Sequence, residues 1–196
     1  MLKRLVIFAI VMLVMITSIE GNVQAAVGAC DRLAGHPADP ERVTAGVGRS
    51  DMDLTAAEEA CRTSVAEYPE HARSQYHLGR VLYYQGHYKE ALPHLKKAAE
   101  YGYAQAIFVL GYIRVTGDLG EKDYCSAGEY WLDAAALDHP WSGYFLADAA
   151  VEGRFSECAF DIDDDQIRRF AALAADHITI SASAGRVEEL LKRLSR

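Results

Sequence analysis

The side chains best able to do chemistry in this chain are histidines and carboxylates, and the histidines are concentrated in one stretch. Four of them fall within 24 residues: His71, His77, His87 and His94. Their separations are six, ten and seven residues, so no two neighbours share a helix face at three or four residues. The sequence also contains no glycine-rich phosphate loop, no H-E-x-x-H motif and no G-x-S-x-G motif. We therefore predict no metal, no cofactor and no enzymatic activity.

Two groups of carboxylates could have either a functional or a structural role. The acidic run at residues 161–165 offers the hard oxygen ligands of Ca²⁺, but it lacks the glycine and the distant glutamate of an EF-hand loop. We expect it to begin a helix, with one carboxylate as the cap, and calcium binding stays as the alternative. Glu129, Asp133 and Asp138 are the nearest candidates for the paired carboxylates of a glycan-processing hydrolase. A solvated helix face explains them better.

The four cysteines are expected to form two disulfides. Three pairings of Cys30, Cys61, Cys125 and Cys158 are possible. Local pairing, Cys30 with Cys61 and Cys125 with Cys158, is the simplest, and each bond would stabilise the fold by about 3 to 4 kcal/mol in the loop-entropy model. A metal site is the alternative, although no two cysteines form a C-x-x-C clip.

The amino terminus is typical of a secretory signal peptide. Lys3 and Arg4 precede an apolar run at residues 5–16, and Val23-Gln24-Ala25 fits a cleavage site. The run is shorter than the about 20 residues of a membrane span. We therefore expect a signal peptide at residues 1–25 and export to the periplasm or the extracellular space. An uncleaved anchor, the alternative, would be the one contact with the membrane.

The charge of the remaining 171 residues argues against nucleic acid as a partner. Removing Lys3, Arg4 and Glu20 changes the formal net charge from −8 to −9. The exported chain is thus acidic and has no basic stripe that would follow a phosphate backbone.

An internal repeat organises the rest of the chain. Leu78-Gly79, Leu110-Gly111 and Leu146-Ala147 recur at intervals of 32 and 36 residues, which is the period of a stacked solenoid. Each pair follows an aromatic residue two places earlier: Tyr76, Phe108 and Tyr144.

Helices can be placed from apolar spacing and from glycine positions. Residues 71–86 and 88–101 form the first full antiparallel pair, in which Gly79 and Ala91 mark the point where the helices cross. Further helices are expected at residues 55–68, 165–176 and 184–194. Residues 31–50 contain too many glycines and prolines for a partner helix. We therefore predict an extended segment at residues 26–54 and a helical repeat domain at residues 55–196.

Two stretches resemble known repeats, over about 120 of the 171 residues. The first resembles a tetratricopeptide repeat and carries Leu78-Gly79, Gly86, Tyr88, Ala91, Leu95 and Ala98. The second resembles the Sel1 variant, with its longer loop between helices, and carries Leu110-Gly111, Gly117, Gly120, Asp123, Ala127, Trp131 and Ala134-Ala135. The resemblance implies an all-α, right-handed α-solenoid of antiparallel helix pairs, which the two disulfides would staple at its ends. In such a solenoid the first helix of every unit lines a concave face.

Helical spacing predicts which side chains that face exposes. They are mostly aromatic or arginine, the types that dominate binding hot spots: Arg73, Tyr76, Arg80, Tyr83, Tyr84, Phe108, Tyr112, Trp141, Tyr144 and Asp148. Some of these aromatics, above all Tyr76, Phe108 and Tyr144, have packing between units as an alternative role. Arginines at one end and acids at the other predict a polarised groove.

These patterns predict an adaptor or regulator that binds another protein or peptide in the periplasm, such as the outer domain of an envelope receptor. The alternatives are a structural protein of the cell envelope and a hydrolase that processes glycans. The oligomeric state stays open, since an exposed aromatic stripe can also pair with itself.

Overall fold

A computed structural model describes residues 27–178 and 181–195 of the chain. The predicted signal peptide lies outside these residues. The described part contains nine α-helices and no strand. The helices are α1 (Ala29–Ala34), α2 (Leu54–Glu67), α3 (Ala72–Tyr84), α4 (Tyr88–Glu100), α5 (Ala104–Thr116), α6 (Tyr124–Ala135), α7 (Pro140–Val151), α8 (Asp164–His177) and α9 (Ser181–Leu194). A 3₁₀ turn, Arg49–Asp51, lies between α1 and α2.

The helices stack in chain order, so the predicted all-α solenoid of helix pairs is confirmed. Each helix packs against the next one along the chain, and α1 also packs against α3. Large apolar side chains fill the space between successive helices and are fully buried: Leu78, Leu82, Leu95, Trp131 and Leu146. In the described part of the chain, none of the helices has the length and apolar character needed to span a membrane.

Carboxylates begin several of these helices. Asp53 accepts hydrogen bonds from the backbone N–H groups of Thr55 and Ala56 at the start of α2. Asp163 accepts one from Gln166 N, and the Gln166 side chain accepts one from Asp163 N, which forms a capping box at the start of α8. The prediction that the acidic run begins a helix is therefore confirmed.

Small residues allow the paired helices to approach closely, as the repeat pattern predicts. A Cβ on Gly79 would lie 3.2 Å from the Ala91 carbonyl oxygen, and a Cβ on Gly111 would lie 2.6 Å from Trp131 Nε1. In the third unit the closest approach is one turn earlier, because a Cβ on Gly143 would lie 2.6 Å from the Phe170 carbonyl oxygen. Ala147, which follows the repeat's leucine, is fully buried.

Both predicted disulfides are present. Cys30–Cys61 joins α1 to α2 and is buried, with a sulfur–sulfur distance of 2.03 Å. Cys125–Cys158 joins the start of α6 to the loop after α7, and both of its cysteines are partly exposed. The bonds therefore connect elements near the two ends of the helical stack.

The segment before α2 differs from the extended tether that its composition predicts. Its first part forms α1, and Cys30, Ala34 and Met52 pack into the same apolar core as α2 and α3. The rest of the segment, residues 35–48, is irregular, and we call it the N-terminal loop. The domain boundary at residue 55 stays a prediction, but the packing makes this segment part of the core.

Replacing Gly111 with alanine is expected to destabilise the fold by about 1–3 kcal/mol, because the new methyl group would overpack the crossing of α5 with α6. Gly185→Ala is the matched control. Gly185 is exposed on helix α9, and no atom lies within 4 Å of the position that a Cβ would take there, so alanine should stabilise by about 0.5–1 kcal/mol. Urea unfolding measures both changes, and equal effects of the two substitutions would contradict the close crossing.

Candidate binding groove

A cavity of about 640 Å³ lies between α3, α5, the start of α7 and the N-terminal loop. This volume is in the range of ligand sites in proteins. We call it the groove, and it is lined by His36, Ala38, Arg49, Tyr76, Arg80, Tyr83, Tyr84, Gln105, Phe108, Val109, Tyr112, Thr116, Asp118 and Trp141. The first helices of three successive units thus share one cavity with a segment outside the repeats.

Seven of the ten side chains predicted from helical spacing line the groove: Tyr76, Arg80, Tyr83, Tyr84, Phe108, Tyr112 and Trp141. Arg73, Tyr144 and Asp148 lie elsewhere. The prediction that all ten are exposed is wrong for four, since Arg73, Tyr76, Arg80 and Phe108 are buried. The physical reason is that α1 and the N-terminal loop cover the two arginines of α3, and neighbouring units pack against the two aromatic side chains.

Arg80 holds the N-terminal loop against α3. Its Nη1 donates to the carbonyl oxygens of Ala34 and Gly35, each at 2.8 Å, and its Nη2 donates to that of Val47 at 2.8 Å. The Ala34 carbonyl belongs to the last residue of α1, where carbonyls lack partners within the helix. One buried guanidinium therefore fixes the end of a helix and both ends of the loop.

Backbone contacts close the N-terminal loop on itself. Val47 N donates to the Gly35 carbonyl oxygen at 2.8 Å. Gly46 has a φ of 79°, and a Cβ there would lie 2.6 Å from Pro37 N, so this closure requires glycine.

A buried ion pair accounts for Arg73. Its Nε donates to Asp31 Oδ1 at 2.7 Å, and His77 Nδ1 lies 3.5 Å from the same oxygen. Burial acts to raise the pKa of Asp31, but the hydrogen bonds from Arg73 and from the Gly28 backbone, together with the charge of Arg73, outweigh it, so this pKa is lowered. Arg73 thus fixes α1 to α3 and does not face a ligand.

The opposite end of the predicted stripe is also paired within the chain. Arg193 Nη1 donates to Asp148 Oδ1 at 2.7 Å, which joins α9 to α7. Tyr144 packs edge-on against Trp141 and Phe145, with ring centroids 6.0 and 5.4 Å apart. The predicted polarity of the groove is therefore wrong, because Arg73 and Asp148 both bind partners in their own chain.

Two acidic side chains attach the N-terminal loop to the start of α5. Tyr103 donates its hydroxyl to Asp39 Oδ2 at 2.6 Å, and Ala104 N donates to Glu41 Oε1 at 3.1 Å. Burial raises the pKa of Asp39 and of Glu41 above their usual values, although these hydrogen bonds act in the opposite direction. The loop is thus fixed to two successive units of the stack.

A chain of polar side chains connects the groove residues Tyr76 and Gln105 to the buried His139. His139 Nδ1 accepts a hydrogen bond from Ser142 N, so Nε2 carries the proton and donates to Gln105 Oε1 at 2.9 Å. Gln105 also hydrogen-bonds Tyr76. Phe108 stacks on the His139 ring, with centroids 4.7 Å apart. This chain of hydrogen bonds connects three units. It gives both ring nitrogens of His139 a hydrogen-bond partner.

The rim of the groove is aromatic and carries charge at one side. Tyr84 lies near two guanidinium groups, since Arg49 Cζ and Arg80 Cζ are each 5.0 Å from its ring centroid. Tyr83 donates its hydroxyl to the Asp118 carboxylate. Tyr112 contacts Phe145 edge-on and is 40% exposed. These side chains offer a rigid apolar surface beside charged groups.

Seven groove residues lie outside the ten named above. Helical spacing also predicts an exposed Thr116, and it missed the other six: His36, Ala38, Arg49, Gln105, Val109 and Asp118. The cysteines did contain a signal that the segment with His36 and Arg49 would lie near the repeats. Pairing of Cys30 with Cys61 places the segment's start beside α2 and α3, so the next residues must run along the repeat surface. The proposed hydrolase candidates Glu129, Asp133 and Asp138 are exposed and do not line the groove.

Comparison with known proteins identifies the fold. No family model matches the chain. No curated protein matches it either. A solved structure, the crystal structure of a Sel1 repeat protein from Oxalobacter formigenes, matches 74% of this chain with a TM-score of 0.54 and 20% sequence identity. The chain has a Sel1-like repeat fold. The match spans 64% of the Oxalobacter chain, and at this identity it establishes the fold alone.

Arg80→Met is expected to remove the donors of three buried carbonyl contacts and to destabilise the fold by about 2–4 kcal/mol. The N-terminal loop should then be cut faster by trypsin after Arg42, which is exposed. The measurements are the free energy of unfolding in urea and the rate of cleavage by trypsin. Arg169→Met, at an exposed arginine of α8, is the control. An Arg80→Met variant with unchanged stability and cleavage would contradict this role.

Acid is expected to destabilise the fold through three histidines. Burial and the charge of Arg80 lower the pKa of His36 to about 4. The pKa values of His77 and His139 are lowered to about 3, and burial is the main cause. The unfolded chain binds protons near the usual pKa of 6.5, so the free energy of unfolding falls as pH drops from about 6.5 toward 4. The raised pKa values of Asp39 and Glu41 act in the opposite direction.

His139→Asn keeps a side chain that can cap the helix, and it removes the imidazole that takes up a proton when the chain unfolds. The slope of unfolding free energy against pH should decrease by up to about 1.4 kcal/mol per pH unit in this window. Urea unfolding at a series of pH values measures the slope. Exposed His87→Asn is the control, and identical slopes in the two variants would rule out a neutral, buried His139.

Proposed function

We propose that this protein is a non-enzymatic adaptor or regulator that binds a peptide segment of another protein in the groove. The observation that carries the proposal is the joint construction of the groove from three repeat units and the N-terminal loop, with an aromatic rim left open. Aromatic side chains combine large apolar area with a polar group at low entropic cost, which suits protein partners. The Sel1-like fold supports the same class of function.

Two features support action outside the cytoplasm. Both cysteine pairs are within disulfide distance, and disulfides persist in oxidising compartments such as the periplasm. The amino-terminal sequence is typical of a secretory signal peptide. We therefore propose an exported protein whose partner is an envelope protein, such as the outer domain of a membrane receptor.

The groove offers little for hydrolysis. Asp118 is the carboxylate that lines it, and this side chain accepts the hydroxyl proton of Tyr83. Hydrolysis of glycans requires a pair of carboxylates at a fixed separation. Binding is accordingly the better-supported function of this cavity.

A photo-crosslinking amino acid at position 112 tests the proposal in cells. Tyr112 lies on the groove rim, whereas Tyr68, 47% exposed at the end of α2, does not line it and serves as the matched control position. A crosslinked envelope protein at position 112 and none at position 68 is the expected result. Once the partner is purified, Tyr112→Ala should weaken binding by about tenfold or more, and Tyr68→Ala should leave it unchanged. Equal crosslinking at both positions would contradict the groove as the site.

A further inference from the structure

We propose that the peptide bound in the groove carries an acidic side chain, whose carboxylate binds Arg49 and His36 beside Tyr84, next to an apolar side chain that packs on Phe108 and Tyr112. This inference rests on the proposed peptide-binding function and adds the chemistry of the ligand. It follows from the charged side chains that line the groove and from the N–H groups of Arg49 and His36 that could bind a ligand.

The groove carries net positive charge on an acidic protein. Among the described residues, Arg49 and Arg80 line it against one carboxylate, that of Asp118. Arg80 is 3% exposed, and its hydrogen-bond partners are three carbonyl oxygens and the Tyr84 hydroxyl. In residues 27–178 and 181–195, no carboxylate lies within ion-pairing distance of it. Carbonyls satisfy its N–H groups but leave its charge without a counter-ion, while the whole chain has a formal charge of −8.

Arg49 supplies donors at the mouth of the groove. Its Cζ lies over the Tyr84 ring, 5.0 Å from the ring centroid, and the residue is exposed. Within the described part of the chain it forms no ion pair within 4.0 Å, although its charge contributes to the lowered pKa of Asp118. An exposed guanidinium without an ion-pair partner can bind a carboxylate through two parallel hydrogen bonds.

His36 supplies a second donor on the same wall. Its Nδ1 accepts a hydrogen bond from Ala38 N at 3.1 Å, so the proton of the neutral ring lies on Nε2. Because burial and the charge of Arg80 lower the pKa of His36 to about 4, the ring is neutral at pH 7. His36 thus adds a hydrogen-bond donor without adding charge.

The charge balance favours a carboxylate over a phosphate. Two guanidinium groups and the ionised Asp118 leave a net charge of about +1 in the groove, which one carboxylate neutralises. A phosphate group carries about −1.5 to −2 at pH 7 and would be repelled more strongly by Asp118.

The chain itself places three acidic side chains, one from α1 and two from the N-terminal loop, against α3 and the start of α5. Asp31, Asp39 and Glu41 bind Arg73, Tyr103 and the backbone of Ala104. The open part of the groove continues from there along apolar side chains of α5 and α7. A peptide that presents an acidic and an apolar side chain on the same face, as residues two places apart in an extended strand do, fits both the donors and these apolar side chains.

Selection from a random-peptide library displayed on phage tests the inference with the intact exported protein as bait. Wild-type protein should enrich peptides that contain aspartate or glutamate near an aromatic or aliphatic residue. Arg49→Gln bait should lose the acidic enrichment, whereas Arg169→Gln, a change at an exposed arginine outside the groove, should keep it. Calorimetry on one enriched peptide and its Asn or Gln counterpart should show binding weaker by about tenfold to a hundredfold without the carboxylate.

The outcomes separate this inference from the proposed function. Enriched peptides whose binding depends on Tyr112 but not on Arg49 or on an acidic residue would overturn the inference and leave peptide binding intact. Peptides that bind Tyr112→Ala protein as tightly as wild type, or no enrichment at all, would overturn the proposed function. A phosphoserine peptide that binds more tightly than its glutamate counterpart would contradict the carboxylate assignment.

Discussion

The hydrogen bonds between the Arg80 guanidinium and three backbone carbonyls are the interaction on which the rest of the structure depends. A buried guanidinium with unpaired donors would be costly, so the carbonyls of Ala34, Gly35 and Val47 must stay in place in the folded chain. They hold the N-terminal loop against the repeats. The Cys30–Cys61 disulfide and the Asp31–Arg73 ion pair secure the same segment one helix earlier.

This arrangement changes what the repeat surface can bind. The face of α3 that carries Arg73 and Arg80 is covered by the chain's own segment, and the groove begins where that cover ends. One wall is therefore irregular and carries His36 and Arg49, while the other is helical and aromatic. A site of this kind combines the rigidity of stacked helices with loop residues that are free to vary in sequence.

The sequence predicts the repeats well because their physical causes are local. The close crossings at Gly79 and Gly111 require small residues at fixed spacing, and the capping Asp163 lies next to the helix that it begins. The course of the N-terminal loop has no such signal, since its glycines and prolines follow no period. Helical spacing therefore placed Arg73 and Arg80 on an open face, because periodicity identifies the face of a helix but not the segment that covers it.

Amide hydrogen exchange of the folded protein at Val47 tests the central claim most directly. The Val47 N–H donates to the Gly35 carbonyl inside the loop that Arg80 holds. If the N-terminal loop is a fixed wall of the groove, this amide should be protected as strongly as amides in the middle of α3. Exchange at the rate of an unstructured peptide would show that the loop is not held against the repeats, and the account of the groove would be wrong.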